Sequence, residues 1–577
     1  MNGFVSGERY RHLSLRAFVL ASVALFVGTF TLLPLFSLVW NSFKPVRLGR
    51  IVDFSLENFT LRNYSHAYLD PATFTMLANS FIFALGSMVV AFLIGGTLAV
   101  LVERTNVSFK NVIYATVLIP LIMPGVLKAI SWILLLNPNI GLLNQIWFLF
   151  GSTRPLFYDD SIFSMIWVEG ISMVPMTYLL LGASFKMMDP SLEEAAYASG
   201  AGKWQVFGTV TLKLMTPAMA GVCLLNFIRG LEAFEVPLIM GFGAKFQVFS
   251  TNIYYSVRLL SPPDYGLALA YSMLLVIIAT IGLYFYHRIM KASYKYTTIT
   301  GKGFRPRLID LGKWQRACGL VTLALIGIPF VLPVLLLCWA SLLPLYQNPS
   351  WEAISLVSLK NYRELMEHGD FILAVKNSLQ LGLMVGLGGM LIATLVSWTV
   401  IKLRPKGSGA LDFLSFVSYA IPGIVVGISF MIVFLAFPNP LYGTIWLMAL
   451  AYWIHFLPIA TRFTHAGIAQ ISAELEDAAA TSGAGFMTTI RTITLPLIVP
   501  FLVSGGLYLF ILTSKLLSVV AILYTPESVI FPVYIMRLYD EGFMPQVAAL
   551  GVVMIFGIGL LTLVVRKLGA RSEISHI

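Results

Sequence analysis

Twelve mainly apolar stretches recur along the chain, separated by shorter polar breaks. A hydrocarbon layer of ~30 Å requires ~20 apolar residues of helix. Runs of that order fall near 17–40, 76–101, 112–136, 161–183, 217–240 and 266–289. A second series falls near 315–340, 373–401, 412–437, 442–463, 497–521 and 545–566. The pattern predicts an all-α polytopic membrane protein of about twelve transmembrane helices, with both termini on one side. The first run exceeds a signal-peptide core and lacks a convincing small-residue cleavage site, so it is expected to stay as a span.

The two series are copies of one another. Leu33-Pro34 and Trp40 match Leu332-Pro333 and Trp339 at an offset of 299 residues. Asn63-Tyr64, Asn79-Ser80 and Pro124-Gly125 match Asn361-Tyr362, Asn377-Ser378 and Pro422-Gly423 at 298. Beyond the third span the offset falls to 283, because the first copy carries about 15 extra residues near 137–154. Six spans is an even number, so the copies enter the membrane in the same sense. They form parallel repeats, related by a pseudo-two-fold axis along the membrane normal.

Composition agrees and adds the orientation. With 58% hydrophobic and 11% charged residues, the chain has too little polar surface to coat a soluble domain. Its net charge of +11 comes from Lys and Arg at the ends of apolar runs, which is a membrane pattern and excludes a nucleic-acid reading. The connector between the series holds Arg288, Lys291, Lys295, Lys302, Arg305, Arg307, Lys313 and Arg316 against Asp310 alone, marking its side as cytoplasmic. The loop with Lys402, Arg404 and Lys406 agrees, whereas Lys44, Arg47, Arg50 and Arg62 form a local exception outside. Cys223, Cys318 and Cys338 have neither disulfide nor zinc spacing, and the seven histidines are scattered, so no metal site and no catalytic residue is expected.

Two cytoplasmic segments stand at equivalent positions. One runs Asp189-Pro190-Ser191-Leu192-Glu193-Glu194-Ala195-Ala196-Tyr197-Ala198-Ser199-Gly200, and the other runs from Ser472 through Asp477-Ala478-Ala479 to Gly483. Asp189 and Ser472 suit N-caps, Pro190 suits the first turn, and the acids there complement the helix dipole. Each segment should form a ten-residue rod of ~15 Å that stops before its glycine. The paired alanines leave a smooth patch for a partner's backbone, beside carboxylates that can anchor to its donors.

These segments resemble the cytoplasmic signature of permease subunits of type I ATP-binding-cassette importers: Glu-Ala-Ala, a following Gly and an aliphatic-Leu-Pro ending. Glu194, Ala195, Ala196 and Gly200 match it in the first copy, and Asp477, Ala478, Ala479 and Gly483 in the second, which ends in Leu495-Pro496. The first copy has Lys213 where the pattern has proline. The resemblance implies that the loops dock on two ATPase subunits and that an extracytoplasmic binding protein delivers the solute. It also implies the bacterial inner membrane, with ATP and Mg used only by the partner. The implied layout is a tail, first helix and outer loop in 1–74, permease domains in 75–289 and 373–566, a connector with the seventh helix in 290–372, and a tail in 567–577. No phosphate-binding loop occurs; Gly200-Ala201-Gly202-Lys203 is followed by Trp204. The fused layout, Lys515-Leu516-Leu517-Ser518 and Ala420-Ile421-Pro422-Gly423 look most like ferric-iron importer permeases. Thiamine, phosphonate, polyamine and sugar-phosphate importers share the broad group, so the cargo stays open.

Charges inside apolar runs are costly and mark pathways or ion pairs. Arg229, Glu232 and Glu235 fall in the fifth run and are expected on one helical face, with Glu232 ~22 Å from Pro217 along the helix. At offset 283, Lys515 matches Glu232 and Ser518 matches Glu235, so acid and base should approach one pathway across the pseudo-axis. An Arg229–Glu232 pair at i,i+3 is the structural alternative. Lys128 and Glu169 read as packing or helix-end charges. An ion-coupled transporter or channel would use such charges too, but would leave the paired loops without a role.

Overall fold

The computed structural model describes residues 2–45, 52–241, 246–293, 308–404, 407–418, 421–436 and 440–574. Of the basic residues that set the orientation, Arg47, Arg50, Lys295, Lys302, Arg305, Arg307 and Lys406 lie outside these ranges, as does Ala420. Among the described residues the fold is helical, and a single isolated bridge joins Thr105 to Ile309.

Nine helices are long and apolar enough to cross a membrane, and two bent pairs bring the number to eleven among the described residues. The predicted ninth span is occupied by two shorter apolar helices, Ser408–Val417 and Gly423–Ala436. The third run is not one straight helix as expected: Lys110–Ile122 and Gly125–Leu136 meet at 106°. Pro124 has no amide hydrogen, and its ring holds the preceding Met123 in extended geometry (ψ 130°), so the helix stops and restarts at Gly125.

The sequence matches turn out to be shared structural joints. Asn63 donates from Nδ2 to the carbonyls of Ser42 and Lys44 at 2.9 and 2.8 Å, and Asn361 donates likewise to Ser341 and Leu343 at 2.9 and 2.7 Å. Each closes the C-terminal end of its repeat's first span, where helix carbonyls lack partners. The neighbouring hydroxyls of Tyr64 and Tyr362 bond to Ser42 and Ser341. Ser80 and Ser378 accept the amides of Phe249 and Phe531 at 3.1 and 2.8 Å, fixing the short helices Phe249–Arg258 and Phe531–Asp540.

Within each repeat the second span packs on the fourth and fifth: Pro71–Arg104 on Ile162–Lys186 and Leu212–Glu232, and Gly369–Trp398 on Ile445–Ala469 and Leu495–Lys515. The first spans cross over. Asn2–Ser42 packs on Gly423–Ala436 of the second repeat, and Leu332–Ser341 packs on Gly125–Leu136 of the first. This exchange locks the two halves around the broken third spans. The first-repeat insertion is organised by buried Asn144, whose Nδ2 donates to the Leu136, Asn137 and Phe157 carbonyls while Oδ1 accepts from the Leu156 and Phe157 amides.

Candidate coupling loops and membrane cavity

Both docking segments are helical, Ser191–Ala198 and Ala473–Thr481, somewhat shorter than the ten residues expected. Pro190, expected in the first turn, takes the N-cap position expected of Asp189, and Asp189 stands one residue further back, its Oδ1 accepting the Ser191 amide at 2.8 Å. Each ends as predicted at a left-handed glycine, Gly200 with φ +87° and Gly483 with φ +81°. The amides of Ala201 and Ala484 reach back to the carbonyls of Ala196 and Ala479 at 3.1 and 3.0 Å, completing the terminal loop that glycine makes cheap. Glu194, Ala195, Asp477 and Ala478 are exposed, and Ala196 and Ala479 are half-buried.

The neighbouring acid Glu193 has a different role from Glu194. It is 1% exposed, and both its carboxylate oxygens meet Nη2 of Arg104, with the Thr211 hydroxyl donating to Oε1. At the matching place in the second repeat, Lys402 pairs with Glu476 at 3.3 Å and also donates to the Ile471 carbonyl at 3.0 Å. Arg104 and Lys402 are related by the 298 offset, and Glu193 and Glu476 by 283. Each of these two short helices is therefore tethered to the C-terminal end of its repeat's second span. The first tether is buried (side chains 3% and 2% exposed), whereas the second is partly open (15% and 29%).

The first tether is also braced from behind. The Ile309 amide donates to the Arg104 carbonyl at 2.7 Å, and Asn106 Nδ2 donates to Asp310 Oδ1 at 2.6 Å. The Gly312 amide and this Asn106 contact hold the Asp310 carboxyl below its ordinary range. After each docking helix the chain makes a π-helical turn, Phe207–Thr211 and Ile490–Thr494, at the same register. Such turns are rare and concentrate at functional sites. Pro496 of the aliphatic-Leu-Pro ending begins the following span, Leu495–Lys515.

In the membrane, the fifth run does not carry its three charges on one helix. The span ends at Glu232, Ala233 turns extended (ψ 131°), and Glu235 opens a separate helix, Glu235–Met240. Pro237 lies four residues after Ala233, so its ring would strike that carbonyl in a continuous helix. The eleventh span likewise ends at Lys515, leaving Ser518 beyond it. Glu235 Oε1 accepts the Leu517 amide at 3.1 Å, and Lys515 Nζ donates to the Leu121 carbonyl at 2.6 Å. Glu235 and Lys515 thus each grip the other repeat's backbone and not an opposite charge, whereas Glu232, the acid expected to meet Lys515, has no hydrogen-bond partner for Oε1 among the described residues.

A cavity of about 290 Å³ lies between the broken ends. Lys128, Glu169, Arg229, Glu232, Glu235 and Lys515 all line it. Ser518 lines it too. Glu232 Oε1 and Nδ1 of His455, another lining residue, are buried without a hydrogen-bond partner among the described residues. Gly125 and Gly423 line it at matching positions: a Cβ on Gly125 would lie 3.0 Å from Glu235 Cβ, and one on Gly423 would lie 2.3 Å from Ser518 Oγ.

A family described as binding-protein-dependent transport system inner membrane component matches residues 91–292 and again 377–573. The chain is 26% identical over 375 residues to the ferric transport system permease protein FbpB of Actinobacillus pleuropneumoniae, a match covering 64% of this chain and 53% of that protein. It thus spans about half the length of that relative. It is 29% identical over 269 residues to a putative 2-aminoethylphosphonate transport system permease protein PhnV of Salmonella paratyphi A, covering 46% of this chain and 98% of that protein. The crystal structure of a bacterial ABC transporter involved in the import of the acidic polysaccharide alginate is similar at 18% identity with a TM-score of 0.40, covering 51% of this chain and 99% of that one.

Proposed function

The chain belongs to the family of binding-protein-dependent transport system inner membrane components and carries the family unit twice, and from that premise we propose that it is the permease of an ATP-driven importer, coupled to a separate ATPase through its two docking helices. One observation carries this reading. Two exposed Ala-Ala helices stand at one register in both repeats, each closed by a left-handed glycine and followed by a π-turn. Two ATPase subunits, or one used twice, dock there and hydrolyse ATP with Mg. An extracytoplasmic binding protein delivers the solute, and both termini of the chain face the cytoplasm. Ferric iron is the favoured cargo, in line with the ferric relative, and a phosphonate is the second choice.

The experiment is co-purification. Gly200→Val with Gly483→Val forces a β-branched residue into the left-handed region at both stops, at a cost of ~1–2 kcal/mol each. The variant is expected to reach the membrane at normal levels and to lose the ATPase subunit from the purified complex. Full retention of the ATPase contradicts the docking role.

The translocation route passes through the central cavity, where Glu232 offers an unpartnered carboxylate oxygen. Removing a charged hydrogen-bond partner costs ~1.5–3 kcal/mol. Glu232→Gln should therefore lower uptake in vesicles at least about tenfold while complex assembly stays normal. Unchanged uptake would assign Glu232 a structural role only. The broken third span and cavity charges also favour an ion-coupled transporter as a second reading. That reading requires uptake by the chain without ATP.

A further inference from the structure

A second cavity, of about 400 Å³, opens on the outer side between the repeats. Its polar lining consists of Asp159 and Asp160 from the turn that leads into the helix Ile162–Lys186, Tyr254 and Tyr255 from the helix Phe249–Arg258 of the first repeat, and Tyr539 and Asp540 from the helix Phe531–Asp540 of the second. Three acids and no Lys, Arg or His line it among the described residues, in a chain whose net charge is +11. Tyr254 is 6% exposed, its side chain reaches this cavity, and its hydroxyl makes no hydrogen bond to another described residue. Arg258, one turn further on, is held elsewhere: its guanidinium lies over the Tyr524 ring at 4.7 Å and donates to the Ile522 and Tyr524 carbonyls.

We propose that this outer cavity is a receiving station for a small multivalent cation, drawn in with part of its hydration shell by the field of the three carboxylates and the Tyr254 phenol before it enters the membrane cavity. Carboxylates and phenols are hard oxygen donors, suited to a hard metal ion or to an ammonium group. Burial raises the Asp159 and Asp540 carboxyls from their ordinary range, against the amide that Asn137 donates to Asp159 and with help from Glu541 beside Asp540. A cation would relieve that cost. No three His, Cys, Asp or Glu side chains converge as a chelating group among the described residues. The cation therefore keeps part of its own shell, as transit requires: a site on a pathway must bind well enough to load and loosely enough to release. The helix Glu235–Met240 separates the two chambers, its first residue facing the inner one and Leu238–Met240 the outer one, only ~7 Å along the axis.

The proposal rests on the importer reading for the direction of travel, and its test does not use transport. The full chain in lipid nanodiscs is titrated with Tb3+, a hard trivalent probe whose emission is sensitised by adjacent tyrosine. A saturable sensitised site is expected, weakened about tenfold or more in Asp159→Asn/Asp160→Asn/Asp540→Asn, with lower affinity in Tyr254→Phe. Displacement by Ga3+ but not spermidine identifies a metal cargo, and displacement by spermidine an organic polycation; either supports the site. Tb3+ binding that is absent, or equal in wild type and the triple variant, overturns it, also where the triple variant instead loses affinity for a binding protein. Retained ATPase co-purification by these variants shows that they fold. Loss of docking in the Gly200/Gly483 variant with Tb3+ binding intact would remove the importer reading and leave the cation site.

Discussion

Arg104→Ala is expected to uncouple and destabilise the protein, whereas Lys402→Ala at the equivalent position should be mild. Arg104 is the charge partner of a carboxylate that is 1% exposed, so truncation leaves Glu193 buried and uncompensated, at ~3–5 kcal/mol. Both Glu193 oxygens converge on Nη2, and Nε and Nη1 of Arg104 have no partner among the described residues. The Thr211 hydroxyl still donates to Glu193 Oε1, but a neutral donor does not compensate the buried charge. Lys402–Glu476 is partly open to water, where such a pair contributes ~0–1 kcal/mol. Thermal unfolding of purified variants checks the asymmetry directly. Arg104→Ala should lower Tm clearly and abolish ATPase stimulation, and Lys402→Ala should lower Tm little. Arg104→Met with Glu193→Met should recover much of the lost stability, because the cost lies in the unpaired charge. Equal shifts at the two sites would contradict the asymmetry.

The second large effect is expected at Gly427→Ala. A Cβ there would sit 2.5 Å from the Val519 carbonyl oxygen, a backbone atom that cannot swing aside. The clash separates Gly423–Ala436 from the segment after the eleventh span and disturbs the wall that Gly423 and Ser518 give the cavity, at ~1–3 kcal/mol. Gly125→Ala should be milder, because its new methyl meets the Glu235 side chain at 3.0 Å or more. Expression, melting temperature and vesicle uptake should fall in the order Gly125→Ala, then Gly427→Ala as the more severe. Wild-type behaviour of Gly427→Ala would contradict this close approach of Gly423–Ala436 to the Val519 backbone.

Much of this architecture is legible in the sequence. Constant offsets predicted parallel repeats, and the matched Asn, Ser and Pro-Gly pairs proved to be the same joints built twice. Helix stops at Gly200 and Gly483 followed from the cheapness of left-handed glycine. The breaks at Ala233 and Leu516 did not stand out, because hydrophobicity runs straight through them. Pro237 was the available signal for the first. The second depends on Glu235 accepting the Leu517 amide from 282 residues away, a contact that no local pattern encodes. Glu193 was overshadowed by Glu194 for a similar reason: adjacent acids look alike until Arg104 selects one. Applying the two offsets to Arg104 and Glu193 would have exposed Lys402 and Glu476 as their mates. The outer cavity assembles tyrosines and aspartates from three distant segments, so its chemistry appears only once the repeats are folded together.

The central claim is that ATP hydrolysis on a partner drives solute through this chain by way of the two docking helices. Uptake into proteoliposomes holding the chain, with and without its ATPase subunits and binding protein, tests it most directly. The expected result is uptake that requires all three proteins and ATP, and that disappears in Gly200→Val/Gly483→Val. Uptake by the chain alone, driven by an ion gradient in the absence of ATP, would contradict it.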